Sequence, residues 1–175
     1  MNRVIISRAR TNTMQLADVL GSLFALELIS PSPIIYLVSP WISDIQLLHN
    51  HFGRYRSLMP DSTRDILMLA DILNELADRY HPANASGHVT VRVIYRPGTV
   101  GIHSFLARLS LQVERRAASD LHEKGLLTSR CYLRGSMNFT FSGVNLNDER
   151  VELTTDPGDI GQAHLNMQDL WERAL

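Results

Sequence analysis

Residues 121–140 read LHEKGLLTSRCYLRGSMNFT, and this stretch orders everything around it. It carries His122-x-Lys124, and Lys124 is the only lysine among 17 basic residues; the other sixteen are arginines. Side chains two apart on a strand point the same way, so the spacing predicts one shared face for His122 and Lys124. Two strands are expected here, LHEKGLLT over 121–128 and CYLRGS over 131–136, joined at Ser129-Arg130. Ser136 and Asn138 follow where the chain leaves the sheet. If the strands pair as a hairpin, an imidazole, an ammonium, a hydroxyl and an amide converge near the sheet edge. That donor set suits an anion with several oxygens, a phosphate above all. The solitary lysine supports it, because a compact ammonium serves a crowded phosphate oxygen differently from a planar guanidinium.

Working outward, strands and helices alternate. TMQLADVLGSLFALELI (13–29) has a helical stripe at Met14, Ala17, Leu20, Phe24 and Leu28, stopped by the Ser-Pro pairs at 30–33. IIYLVS (34–39) reads as a buried strand, and 40–59 as a loop followed by a short helix. A helix is predicted from Ser62 or Thr63 to about Tyr80, with Ser62 and Asp65 as a capping box. HVTVRVIY (88–95) alternates as a strand should, HSFLARLS (103–110) as a short helix, and LQVERRA (111–117) as a strand. RVELTT (150–155) is a further strand, and Asp156-Pro157-Gly158 turns into a closing helix over 160–174. The class predicted is α/β, a mixed β-sheet layered between helices. One domain over 1–175 is expected, with 1–33 as an N-terminal helical segment packed on it.

Net charge is −1, which excludes a uniformly basic nucleic-acid binder but not a local basic groove. Six basic residues fall between Arg108 and Arg134 against three acids, while seven acids face Arg150 and Arg173 from Asp148 onward. Cys131 is the only cysteine, which excludes an intrachain disulfide and fits a reducing compartment. No apolar run precedes Arg8 and Arg10 that would serve as a signal peptide, and none approaches the roughly 18 residues of a membrane span. A cytoplasmic location without membrane contact is expected.

His122-x-Lys124, then Gly135-Ser136-x-Asn138-Phe139-Thr140, then Asn147-x-Glu149 ahead of an apolar strand, resembles the phospholipase D superfamily. Its HKD signature is H-x-K-x4-D-x6-G-S-x-N. VTVRVIYRP, the following helix, LQVERRA and LHEK match the family's run of strand, helix, strand and HKD strand, and IIYLVSPWISD its early strand and loop. The resemblance covers most of residues 34–155. Two departures stand out: Ser129 occupies the Asp position, and five residues rather than six separate it from Gly135. In the family that Asp mainly supports local structure.

The resemblance implies a nucleophilic His122, forming a phosphohistidine, and a Glu149 that holds its other ring nitrogen. Lys124, Ser136 and Asn138 would bind the non-bridging oxygens, with no metal and no cofactor required. A second His must protonate the leaving oxygen. Short members of the family supply it from a second copy, so a homodimer sharing one site across a two-fold axis is expected. Gly135, Arg96, His103 and Trp41 are the further substrate-binding candidates. The substrate implied is nucleic acid, DNA in particular. Similar single-motif proteins serve bacterial DNA-modification and defence clusters, notably the deazaguanine type, so partner proteins of such a complex are expected. A catalytically inactive HKD-like module that binds DNA or proteins is the alternative. Phospholipid hydrolysis is disfavoured, because nothing reads as a membrane-docking surface. HNH at His49 to His51 matches a nuclease name only in letters, since that chemistry needs ligands dispersed over a ββα finger.

Overall fold

A computed structural model describes residues 2–7 and 15–175 of the chain. Its strands are β1 (Asn2–Ser7), β2 (Ile34–Ser39), β3 (Gln46–His49), β4 (Ile66–Met68), β5 (Thr90–Tyr95), β6 (Glu114–Ala117), β7 (Gly125–Leu127), β8 (Tyr132–Gly135) and β9 (Glu149–Thr154). The helices are α1 (Gln15–Ile29), α2 (Leu69–Asp78), α3 (Ile102–Leu106), α4 (Phe141–Asn145) and α5 (Pro157–Arg173).

Among the described residues, seven strands form one sheet in the order β1-β9-β8-β7-β2-β5-β6. β2, β5 and β6 run parallel, as crossovers through helices require, while β7, β8, β9 and β1 alternate antiparallel. The sheet is therefore mixed, as the sequence predicts. Strand alternation sends Ile35 and Leu37 of β2 to one face and Tyr36 and Val38 to the other. The first face packs on α1, α2 and α3 in the larger core. The second is covered by α5 through Ile160, Ala163, Met167 and Trp171. The guanidinium groups of Arg92 and Arg116 each lie 4.7 Å from the centre of the Trp171 ring. Arg92 and the Tyr36 hydroxyl also donate to Gln168 Oε1 of α5, at 2.6 Å and 2.8 Å, so polar groups bind the helix to the sheet as well. Among the described residues, no helix is long and apolar enough to cross a membrane.

Several elements differ from expectation. Residues 2–7 were expected within a helical segment, but they form the edge strand β1, pairing Ser7 with Glu149 and Asn2 with Thr154. Met14, Arg8 and Arg10 lie outside the described residues; the buried stripe of α1 is Leu16, Leu20, Phe24 and Leu28. The helix expected at the end of 40–59 is instead β3 and a short 3-10 turn. The helix expected from Ser62 begins only at Leu69, because residues 66–68 pair with β3 as β4. Asn50 causes both changes. Its amide donates to Arg64 O (2.9 Å), its Oδ1 accepts from Tyr55 N (2.8 Å), and its own N–H donates to Asp65 O (2.7 Å). The HNH letters thus spell a loop staple. Asp71, not Asp65, accepts at the helix start, from Met68 N at 3.1 Å.

Candidate active site

The register puts several strand ends on one rim of the sheet. Gly125 at the start of β7 faces Val38, next to the end of β2, and β5 ends beside β2 with Tyr95 opposite Ser39. Gly135 at the end of β8 faces Val151, two residues into β9, whose first residue is Glu149. The C-terminal ends of parallel strands are where sites gather in α/β sheets, and β2 is also where pairing changes from parallel to antiparallel.

His122 and Lys124 lie just ahead of β7, not within it, because β7 pairs with β2 only from Gly125 onward. The expected hairpin is present, with Gly125 opposite Arg134 and Leu127 opposite Tyr132. His122 is exposed. The Lys124 ammonium donates to the His122 carbonyl at 2.9 Å. Both residues line a cavity of about 500 Å³ together with Tyr132, Arg134, Gly135 and Arg150. Burial pushes the Tyr132 phenol up, with Arg134 opposing, so its hydroxyl stays a donor near neutral pH.

Gly135 is set by contact as well as by conformation. Its φ is +152°, and a Cβ there would lie 2.2 Å from Arg150 O and 2.8 Å from Val151 Cα. Only glycine lets β8 end this close to β9. The approach places Ser136, whose N–H donates to Arg150 O (3.1 Å) and whose Oγ accepts from Arg150 N (3.0 Å). The same hydroxyl donates to the Glu149 carboxylate, and Asn147 Nδ2 donates to the other Glu149 oxygen at 3.3 Å. Glu149 is buried, and its partners are Ser136 and Asn147; no hydrogen bond links it to His122.

Asn138 is held from two sides. Its Oδ1 accepts from Ser39 Oγ at 3.2 Å, which leaves its NH2 group without a hydrogen bond among the described residues. Gly143 of α4 packs against its backbone, where a Cβ would meet Asn138 O at 2.3 Å. Ser39 is fully buried, and its one hydroxyl proton is shared between Asn138 Oδ1 and the nearer Trp41 O at 2.8 Å. Trp41 is 41% exposed, with the Arg96 guanidinium 5.1 Å from its ring centre. Arg96 in turn donates to the Leu121 carbonyl, one residue before His122. His103 stands exposed on α3 and does not line the cavity beside His122.

Solved structures share this architecture. The phospholipase D family member Nuc from Salmonella typhimurium superposes with a TM-score of 0.60 at 14% identity, covering 100% of this chain and 97% of that one. NucT from Helicobacter pylori gives 0.58 at 15% identity, covering 100% and 98%. Polyphosphate kinase from Porphyromonas gingivalis gives 0.59 at 14%, covering 97% of this chain and 23% of that one. The fold is that of the phospholipase D family. No family profile and no curated protein matches the chain in sequence.

Within this fold, Ser129 lies at the opposite end of β7 from His122. Its hydroxyl is 2.7 Å from Ser32 Oγ, and its N–H donates to the same atom at 3.1 Å. Ser32 donates to the Glu27 carboxylate through N (2.7 Å) and Oγ (3.1 Å), and Arg130 pairs with Glu27 at 2.8 Å. A buried carboxylate from α1 thus stands behind the position where the HKD signature has its own.

The basic tract is not gathered into one strip. Arg108 pairs with Asp44 and Asp71, Arg116 lies on Trp171, and Arg130 on Glu27; Arg134, paired with Glu152, is the tract's arginine at the cavity. Arg150 and Tyr132 at the cavity, and Glu27 behind Ser129, escaped the sequence reading. Arg150 and Tyr132 occupy alternating positions on strands that were predicted, so strand parity was the signal available for them. Glu27 gave no local signal of this role, because Arg130 lies about 100 residues downstream, as does Ser129, which reaches it through the nearby Ser32.

Proposed function

We propose that this protein is a phosphodiesterase that cleaves nucleic acid, DNA in particular, through a phosphohistidine on His122. What supports the reading is the register, which sets the His122–Lys124 segment just ahead of β7, Ser136 just after β8 and Glu149 at the start of β9 on one rim, with an Asn138 NH2 group that has no hydrogen bond among the described residues. Apolar Val4 and Ile6, about half exposed, continue along the uncovered sheet face beside that cavity and favour a second copy docking there.

The phosphate docks against Lys124, Asn138 and Ser136, replacing the bond from Lys124 to the His122 carbonyl. Once Ser136 turns to a phosphate oxygen, one Glu149 oxygen becomes free to accept from the His122 ring. A ring nitrogen of His122 attacks phosphorus, a P–N bond forms and the bond to the leaving ester oxygen breaks. His122 of the partner subunit protonates that oxygen, then takes a proton from the water that cleaves the P–N bond. Lys124 and the neutral donors stabilise the charge on the trigonal-bipyramidal phosphorus. The setting proposed is a cytoplasmic DNA-modification or defence complex, with other proteins of that complex as partners.

A second reading, a module that binds without cleaving, is favoured by Ser129 at the Asp position and by Glu149 being engaged with Ser136 and Asn147. One experiment separates the two. Wild type and His122→Ala are incubated with single- and double-stranded DNA in excess EDTA. Cleavage that survives EDTA and is lost in the variant supports the enzyme; binding without cleavage supports the module. Cleavage abolished by EDTA refutes the phosphohistidine route, and a stable monomer in sedimentation refutes the shared site.

A further inference from the structure

Trp41 is placed in a way that packing alone does not require. The other tryptophan, Trp171, is 6% exposed and fills a core, whereas Trp41 keeps 41% of its surface open at the rim. Its backbone is fixed by the buried Ser39 hydroxyl, which also holds Asn138. The segment beyond it is pinned by the Ile42–Phe139 bridge and by Ser43 N–H donating to Phe139 O at 2.9 Å. The Arg96 guanidinium lies over the ring while donating to Leu121 O, which joins the indole to the His122 segment. The indole is thus a fixed, cation-backed aromatic surface tied through Ser39 to Asn138 and through Arg96 to the His122 segment.

We propose that Trp41 is a stacking platform for one unpaired nucleobase next to the bound phosphate, which makes single-stranded nucleic acid the substrate class. This rests on the phosphate-site reading above. Every nucleobase presents a π-face, so an aromatic beside a phosphate site binds single strands with little sequence preference. A base within a duplex is already stacked on its neighbours and reaches the platform only after unstacking, which costs energy. Arg96 behind the ring adds a cation–π contact that fixes the indole plane.

The test uses full-length His122→Ala, titrated with an oligothymidylate, an abasic oligomer of equal length and a duplex. Binding is read by anisotropy and by quenching of indole emission. Thymidylate binds about tenfold more tightly than the abasic strand, within the range of base–aromatic stacking, and quenches the emission. Adding Trp41→Ala brings that ratio to about one, while Trp41→Phe keeps most of it and loses the quenching. Equal affinity for thymidylate and abasic strands, or no binding of either, overturns the platform. A ratio unchanged by Trp41→Ala does the same. So does a shift from dimer to monomer in Trp41→Ala, which assigns the ring to an interface between copies. Cleavage by wild type in EDTA is scored separately. Cleavage without base discrimination removes the platform and leaves the phosphodiesterase reading, and discrimination without cleavage does the reverse.

Discussion

Ser129→Asp restores the missing residue of the HKD signature, yet the surroundings of Ser129 make the restored carboxylate unwelcome. Two hydrogen bonds in series, 2.7 Å and 3.1 Å, separate the Ser129 hydroxyl from a buried Glu27 oxygen. A carboxylate at 129 therefore lies about 5–6 Å from that of Glu27, and at an effective dielectric of about 20 their repulsion is roughly 3 kcal/mol. Arg130, 2.8 Å from the same Glu27 oxygen, offsets part of this, and the exposure of Ser129 screens more. The expected net loss is about 1–2 kcal/mol, or a Tm lower by about 2–8 °C for a chain of this size. Urea unfolding at low and high salt gives the assay, and the loss shrinks as salt rises. In a double-mutant cycle Glu27→Gln is destabilising alone, because Ser32 N–H and Arg130 need an acceptor, but it couples favourably with Ser129→Asp. A Ser129→Asp protein as stable as wild type, or more stable, would falsify the reading that the buried Glu27 carboxylate stands charged close behind position 129.

Three other perturbations follow from the same structure. Trp171→Ala removes a buried side chain of α5 that touches two guanidinium groups of the sheet and costs about 3–5 kcal/mol in urea unfolding, with no metal or ligand dependence. Gly135→Ala forces a Cβ into the Arg150 carbonyl, so it lowers stability by at least about 2 kcal/mol in urea unfolding and displaces Ser136, which under the proposed function also lowers DNA cleavage or binding. His164 contacts the edge of Tyr36 and donates to the Thr128 carbonyl at 3.3 Å; burial pushes its imidazole down, with that hydrogen bond opposing. Its folded pKa lies below the unfolded one, so its contribution is whole above the ordinary value of about 6.5 and is lost as pH falls through the lowered folded value. Urea midpoints should therefore drop on acidification from pH 7.5 to 5.5, and a slope unchanged by His164→Asn would exclude this source.

The parts of the fold that were legible are those whose causes are local. The apolar run between Pro33 and Pro40 marked β2, alternation over 88–95 marked β5, and Asp156-Pro157 announced α5, where Asp156 accepts from Gly158 N (2.9 Å) and Asp159 N (3.1 Å). The β3–β4 pair was not legible, because a strand there depends on Asn50 bonding fourteen and fifteen residues ahead, which no periodicity reports. The site divides in the same way. His122, Lys124, Ser136, Asn138 and Glu149 became candidates through their spacing and the family resemblance it carries. Their geometry rests on groups with no chemical signature: Ser39 on Asn138, Gly143 under its backbone, and the Arg150 backbone against Gly135 and Ser136. Lys124 shows the consequence. Its place two residues after His122 was read as a shared strand face, but β7 starts only at Gly125, so the segment is irregular backbone and the ammonium rests on the His122 carbonyl. A lysine on a regular strand would be aimed by the sheet; this one is held by a neighbouring carbonyl, so under the proposed function a phosphate would have to displace that bond before the ammonium could serve it.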